Sequence, residues 1–164
     1  MALTQAPAEL LNLDSGITIS TADNSTQLTL TSTDADSSAG PVLELFRNSG
    51  SPADNDATGL IYFYGENDND EKIAYGQIYT QVKDASDGTE DGSMAFYTMA
   101  AGTSTETLSL VSGNVGIGCS DPEVTFEVDS GSANTVAQFT STDAYALIKF
   151  KDNDTSTETT LGAL

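Results

Sequence analysis

The chain has 164 residues, of which 25 are acidic and 5 are basic, and it contains no His, no Trp and one Cys. A formal charge of −20 disfavours phosphate-bearing partners, so we expect neither nucleic acid nor a membrane as a partner. The lack of His excludes Ser/His/Asp and Cys/His catalysis and His-based zinc sites, and one Cys excludes an internal disulfide. We therefore expect no catalytic residues, no cofactor and no metal ligands.

The first fourteen residues differ in composition from the rest. Residues 1–14 are rich in Ala and Leu with Pro7 near the start, which favours a short helical or irregular lead segment. The pattern then changes to period two, with Ile17 and Ile19 between Thr and Ser residues. This alternation predicts short strands that each have one buried face.

Strand-like segments alternate with turn-forming residues over the remaining chain. Turn formers such as Asp87-Gly88 and Asp91-Gly92 separate them, and no convincing helical periodicity follows the lead segment. The sequence therefore predicts an all-β fold of short antiparallel strands. The predicted strands are Ile17–Ile19, Leu28–Leu30, Val42–Arg47, Leu60–Tyr64, Ile73–Val82, Met94–Met99, Thr107–Val111, Val124–Val128, Thr135–Thr140 and Ala146–Lys151.

An internal repeat sets the predicted domain organisation. Residues Thr31–Ala35 are identical to Thr140–Ala144, and the hydrophobic register holds for about nineteen residues at this offset. We therefore predict an attachment segment at 1–14, a first β unit at 15–118 and the start of a second, incomplete unit at 119–164. An incomplete unit leaves strand edges unpaired, and such edges favour an oligomer in which several copies complete one another's sheets.

A glycine-rich junction carries a resemblance to a known group of proteins. Ser112-Gly113-Asn114-Val115-Gly116-Ile117-Gly118, followed by Asp121-Pro122 and a strand, resembles a junction in tail fibers and related virion fibers of bacteriophages. The similarity covers roughly residues 40–164 and includes the acidic turn and apolar strand of residues 88–98. Cys119 departs from the pattern, because a Thr is more usual at that position.

The resemblance implies a homotrimeric, elongated virion component with a β-prism or β-helix-like form, assembled in the host cytoplasm and exposed extracellularly. In such fibers a segment in the place of residues 1–14 attaches to other virion proteins. Complete fibers often carry a C-terminal chaperone or receptor-binding tip, and we expect neither in this sequence, so the resemblance does not by itself imply host recognition by this chain.

Several more specific functions are alternatives to this interpretation. Gly116-Ile117-Gly118 could belong to a phosphate-binding loop, but a strand is predicted where that loop needs a helix. Residues 54–59 resemble the first half of a calcium loop, although Gly65 stands where the bidentate acid is expected. Turn formation is the commoner role of such residues. Further carboxylate pairs that could bind calcium are Asp68 with Asp70 and Asp152 with Asp154.

The remaining candidates concern single residues and loops. Cys119 has no His or basic neighbour in the sequence to lower its thiol pKa, so we expect a passive small residue. Arg47 and Lys151 occupy equivalent positions in the repeat, where each either offsets part of the acidic charge inside an assembly or is a solvated strand end. Loops 49–58 and 84–92 are the candidates for binding host surface glycan.

The sequence as a whole predicts a structural, non-catalytic fiber or appendage protein of a bacteriophage. The alternatives are a receptor- or glycan-binding adhesin module and a glycan depolymerase that uses paired carboxylates. The depolymerase is less favoured, because no Trp is present and the tyrosines alternate along strands as packing residues do.

Overall fold

A computed structural model describes residues 16–38, 40–142, 146–150 and 159–163. The chain divides into two units, Met1–Glu44 and Leu45–Leu164. The described residues contain eight strands and no helix, so the all-β prediction is confirmed for them. No helix in this part of the chain is long and apolar enough to cross a membrane. The predicted lead segment, residues 1–14, lies outside the described residues.

Six strands of the second unit form one open sheet with the order β1-β2-β3-β4-β5-β6. Successive pairs are antiparallel except for the last, because β5 and β6 run parallel. A separate antiparallel pair forms from β7 and β8. The strands are β1 (Ala57–Glu66), β2 (Lys72–Asp84), β3 (Asp91–Ala100), β4 (Thr103–Val111), β5 (Asn114–Ile117), β6 (Phe126–Val128), β7 (Ala146–Phe150) and β8 (Thr159–Ala163).

Short turns with residues suited to positive φ connect the central strands. Asp70 (φ 59°) ends the turn before β2, Gly88 (φ 87°) lies in the turn before β3, and Ala101 with Gly102 joins β3 to β4. The Asn67 side-chain oxygen accepts hydrogen bonds from the Asn69 and Glu71 backbone amides, at 3.0 and 2.9 Å. These side-chain caps explain why Asn and Asp cluster between strands.

Four predicted strands are wrong for this structure. Ile17–Ile19, Leu28–Leu30, Val42–Arg47 and Thr135–Thr140 have the period-two pattern, but they lie outside strands. A strand requires a hydrogen-bonded neighbour, and alternation records only which side chains favour burial. The large apolar side chains in these segments remain exposed, as in Ile17 (65%) and Phe46 (74%). Two strands that the sequence pattern did not predict, β5 and β8, are present instead.

The first unit is held locally by side-chain caps over its described residues. The Asp23 Oδ1 atom accepts a hydrogen bond from the Ser25 amide at 2.9 Å, and Asp36 caps the Ser38 amide at 2.7 Å. No strand occurs between residues 16 and 38 or between residues 40 and 44.

Candidate functional site

The six-stranded sheet has two faces of opposite character. Residues paired directly across neighbouring strands point to the same face, so the strand register assigns each side chain to a face. One face, called the apolar face below, carries no charged residue in its two long rows. The first row is Ile61, Ile78, Phe96, Leu108, Ile117 and Val128, and the second is Gly59, Thr80, Met94, Leu110, Val115 and Phe126.

Much of the apolar face is open to solvent. Phe63 is 57% exposed and Phe126 is 62% exposed, while Ile61, Met94, Leu110 and Ile117 are 38–40% exposed. These six large side chains alone present on the order of 500 Å² of apolar surface, at roughly half of an aromatic-sized area each. A contiguous apolar patch of this size is at the upper end of what monomeric proteins expose and marks an interaction surface.

The opposite face, called the polar face below, carries a hydrogen-bonded tyrosine cluster. The Tyr97 hydroxyl donates to Glu106 Oε2 at 2.6 Å, and the rings of Tyr79 and Tyr97 meet edge to face with centroids 6.4 Å apart. The Glu106 carboxylate raises the pKa of the Tyr97 hydroxyl to about 12, because a deprotonated phenol could no longer donate to it and would lie beside a second negative charge.

The small core of the sheet lies on the polar face beneath the residues that link β5 to β6. Among the described residues, the buried apolar side chains are Ala95, Val111 and Pro122, and the buried polar side chain is Ser109, at 1% exposure. The Ser109 hydroxyl lies 2.5 Å from the Cys119 carbonyl oxygen and donates a hydrogen bond to it. The sheet therefore buries mainly small side chains on its polar face, whereas Phe63, Met94 and Phe126 on the other face remain exposed.

The glycine junction forms a close backbone crossing in this core. A Cβ atom at Gly116 would overlap the Cys119 carbonyl oxygen and the Ser109 hydroxyl, and one at Gly118 (φ 70°) would overlap the Asp129 carbonyl oxygen. The Asn114 side-chain amide donates to the Pro122 carbonyl oxygen at 2.9 Å, which fixes the connection to β6. The glycines are thus required for close approach of two backbone segments.

The phosphate-loop interpretation does not fit this geometry. The strand β6 follows the junction where a phosphate loop needs a helix N-terminus. The Gly118 amide donates to the Thr107 carbonyl oxygen at 3.1 Å, so it is already engaged within the sheet.

The acidic side chains of the candidate calcium loop are used as turn caps and an ion-pair partner. Asp54 Oδ1 accepts a hydrogen bond from the Ala85 amide at 2.9 Å, and Asp56 Oδ2 lies 3.0 Å from Arg47 Nη1. The Arg47 guanidinium lowers the pKa of the Asp56 carboxyl, with a further contribution from the Ala53 amide. Over the ranges that the structure describes, no group of three or more His, Cys, Asp or Glu side chains is placed to hold a metal ion.

The other candidate residues lie at different places in the structure and do not form one site. Asp68 and Asp70 lie in the turn between β1 and β2, whereas Asp152, Asp154 and Lys151 lie outside the described residues. Cys119 is partly buried with a free thiol, and its carbonyl group makes the contact to Ser109. Arg47 pairs with Asp56 through a side chain that is 43% exposed, and it also donates to the Ala57 carbonyl oxygen at 3.1 Å.

The two loops proposed for glycan binding lie side by side. The Asp54 carboxylate in loop 49–58 caps the Ala85 amide, at the start of loop 84–92. Within the second loop, Asp84 accepts hydrogen bonds from the Ser86 amide and the Thr89 hydroxyl, and these hydrogen bonds lower the pKa of its carboxyl group. The two loops therefore form one continuous surface next to the ends of β1, β2 and β3.

In comparisons with known proteins, no protein-family model and no curated protein matches the chain. The apolar face is a feature of this site that was not among the sequence-based predictions. The period-two alternation of apolar residues in the sequence pointed to this face, because it assigns alternate residues of a strand to one side. It does not show whether that side is covered by other residues or exposed to solvent.

Proposed function

We propose that the chain is a structural, non-catalytic subunit of a bacteriophage fiber or appendage, and that it assembles as a homotrimer. The observation that supports this proposal is the uncharged apolar face of the six-stranded sheet with its exposed large side chains. Copies that pack these faces together would bury the surface that a single chain leaves in water. Each buried side chain of this size contributes about 1.5–3 kcal/mol when its burial is complete.

Charge favours the same face as the contact between copies. Each copy carries a formal charge of −20, so two copies repel wherever their acidic surfaces meet. The two long rows of the apolar face contain no charged residue, so this surface approaches a second copy with the least repulsion. The remaining acidic surface would keep finished fibers soluble and separate.

The proposed role is mechanical. Sheets that share one apolar interior would convert chains with little core of their own into a stiff rod, and unfolding would then require separation of the chains. In this proposal the segment at 1–14 joins other virion proteins, and the finished particle carries the rod outside the cell.

Native mass and a matched pair of variants test the proposal. Light scattering on a sizing column should give about three times the chain mass of 17.0 kDa, and the complex should resist detergent before boiling. Met94→Glu adds a charge to the apolar face and should reduce the mass to that of one chain. Gln77→Glu adds the same charge to the polar face and should leave the trimer intact. A wild-type monomer, or equal effects of the two variants, would contradict the proposal.

A second candidate function is binding of a host surface glycan. It is favoured by the contact between loops 49–58 and 84–92, which joins two polar segments into one surface. A glycan array with the purified protein tests binding, and release of reducing ends from host polysaccharide would indicate a depolymerase. A wild-type protein that binds no glycan would remove both alternatives and leave the structural role.

A further inference from the structure

We infer that the two free edges of the sheet, β1 and β6, meet between neighbouring copies, so that the trimer closes head to tail around its axis. The inference rests on the proposed trimer and adds which surfaces of each copy come together. β1 and β6 are the first and last strands of the sheet.

The edge at β1 has the features of a strand that pairs with another chain. Residues Gly59–Gly65 form an uncharged, Pro-free segment, and its five large side chains are each 38–57% exposed. Natural monomers protect such edges with charges, Pro, bulges or very short strands. This segment of β1 has neither charge nor Pro, and its register against β2 shifts at Phe63/Tyr64, whereas β6 is three residues long and carries Glu127. The start of β1 is already occupied within the chain by Arg47, which donates to the Ala57 carbonyl oxygen. The stretch from Leu60 onward is therefore the part available to a neighbour.

The two most exposed large side chains of the apolar face lie on the two edge strands. Phe63 on β1 and Phe126 on β6 are 57% and 62% exposed, whereas Met94 and Leu110 on the central strands are both 38% exposed. A contact that covered only the middle of the face would leave these two phenylalanines in water. Joining β1 of one copy to β6 of the next covers both.

Strand direction is compatible with this closure. The pairs from β1 to β5 are antiparallel and β5–β6 is parallel, so β6 runs in the same direction as β1. Rotation about an axis along the strands preserves direction, and it therefore brings β1 and the next copy's β6 together as a parallel pair. A twofold contact of β1 with β1 would instead leave β6 uncovered in every copy.

The dimensions also agree with a triangular arrangement. Six strands at the usual spacing make a sheet about 29 Å wide, and three such sheets joined as a triangle lie about 8 Å from their common axis. Large side chains that project inward from three sides can fill most of an interior of this size. The row Ile61, Ile78, Phe96, Leu108, Ile117 and Val128 supplies six of them in each copy.

Cross-linking on the polar face tests the edge contact. In a Cys119→Ser background, Tyr62→Cys places a thiol on β1 and Glu127→Cys places one on β6. The two positions are about 24 Å apart within one sheet, so a short bis-maleimide cannot join them in the same chain. The doubly substituted protein should give covalent two-chain and three-chain species on a denaturing gel, and either single variant should give none.

Light scattering on the same samples separates this inference from the proposed function. A trimer that yields no covalent species from the double variant would overturn the edge contact and leave the proposed function standing. Two-chain species from Tyr62→Cys alone would also overturn it, because they would show a twofold β1 contact. A monomer by light scattering would overturn both.

Discussion

The Ser109 hydroxyl donates a hydrogen bond to the Cys119 carbonyl oxygen at 2.5 Å and so joins β4 to the connection between β5 and β6. Ser109 is 1% exposed and is the buried polar side chain among the described residues. The glycine junction and the parallel strand β6 depend on the crossing that this hydrogen bond holds.

Removal of the Ser109 hydroxyl should therefore destabilise the protein. Ser109→Ala leaves the partly buried Cys119 carbonyl oxygen without this donor, which costs about 1–3 kcal/mol. Urea unfolding at fixed protein concentration measures the change in the free energy of unfolding. Ser104→Ala on the same strand loses a 3.3 Å hydrogen bond at an exposed site and should change little. Equal losses from the two variants would contradict the role of the crossing.

A side chain at the junction glycine should be destabilising for a different reason. Gly116→Ala places a Cβ atom against the Cys119 carbonyl oxygen and the Ser109 hydroxyl, so the connection must move. We expect a loss of about 1–3 kcal/mol, as for overpacked sites in general. Gly50→Ala is the control, since no atom lies within 4 Å of its added Cβ atom. Thermal unfolding of the two variants under the same conditions measures the difference in stability. A Gly116→Ala protein as stable as the wild type would contradict the close backbone crossing.

Tyr97 should titrate at an unusually high pH. The folded-state pKa of its hydroxyl is raised from 10.0 to about 12, so the stabilisation is fully present below pH 10 and is lost as pH rises through about 12. Ultraviolet absorbance of tyrosinate measures the titration, with Tyr97→Phe identifying the signal. Glu106→Gln should return the pKa of Tyr97 towards 10, because it removes the negatively charged acceptor of the Tyr97 hydrogen bond. An unshifted signal in the wild-type protein would contradict the hydrogen bond.

Asp56 should titrate below its ordinary range because of Arg47. The lowered carboxyl pKa means that the contribution of Asp56 to stability is present above about pH 4 and is lost as pH falls through the folded-state pKa. Carboxyl NMR titration measures this, and Arg47→Gln should raise the Asp56 pKa towards 3.8. Lys72→Gln, which removes the cation 4.2 Å from the centre of the Tyr64 ring, is the control and should leave Asp56 unchanged.

Salt should strengthen the proposed trimer. Copies that each carry a charge of −20 repel one another, and the screening length falls from about 10 Å at 0.1 M salt to about 3 Å at 1 M. The midpoint of chain dissociation in urea should therefore rise with sodium chloride concentration. Dissociation that becomes easier with salt would indicate that ion pairs between chains dominate the contact.

The sequence by itself determined the fold class and most of the central strands. Alternation at Ile73–Val82 and Met94–Met99 lies within β2 and β3. The predicted turn at Asp87-Gly88 lies in the connection between them, whereas Asp91-Gly92, also predicted as a turn, begins β3. Both signals are local, because period two and positive φ are properties of a few neighbouring residues. The same signals failed at Val42–Arg47 and Thr135–Thr140, since pairing depends on a partner strand that a local pattern cannot specify.

Only the tertiary structure decided which residues form the core and which face stays open. The sequence marked Gly116 and Cys119 as parts of a junction, but their crossing over Ser109 requires three separated segments to meet. In the same way, the sequence shows the alternating apolar residues of each strand separately. The register of the five strand pairs places these residues side by side on one face of the sheet. Hydrogen bonding between strands sets that register, and it acts between residues that are distant in the sequence.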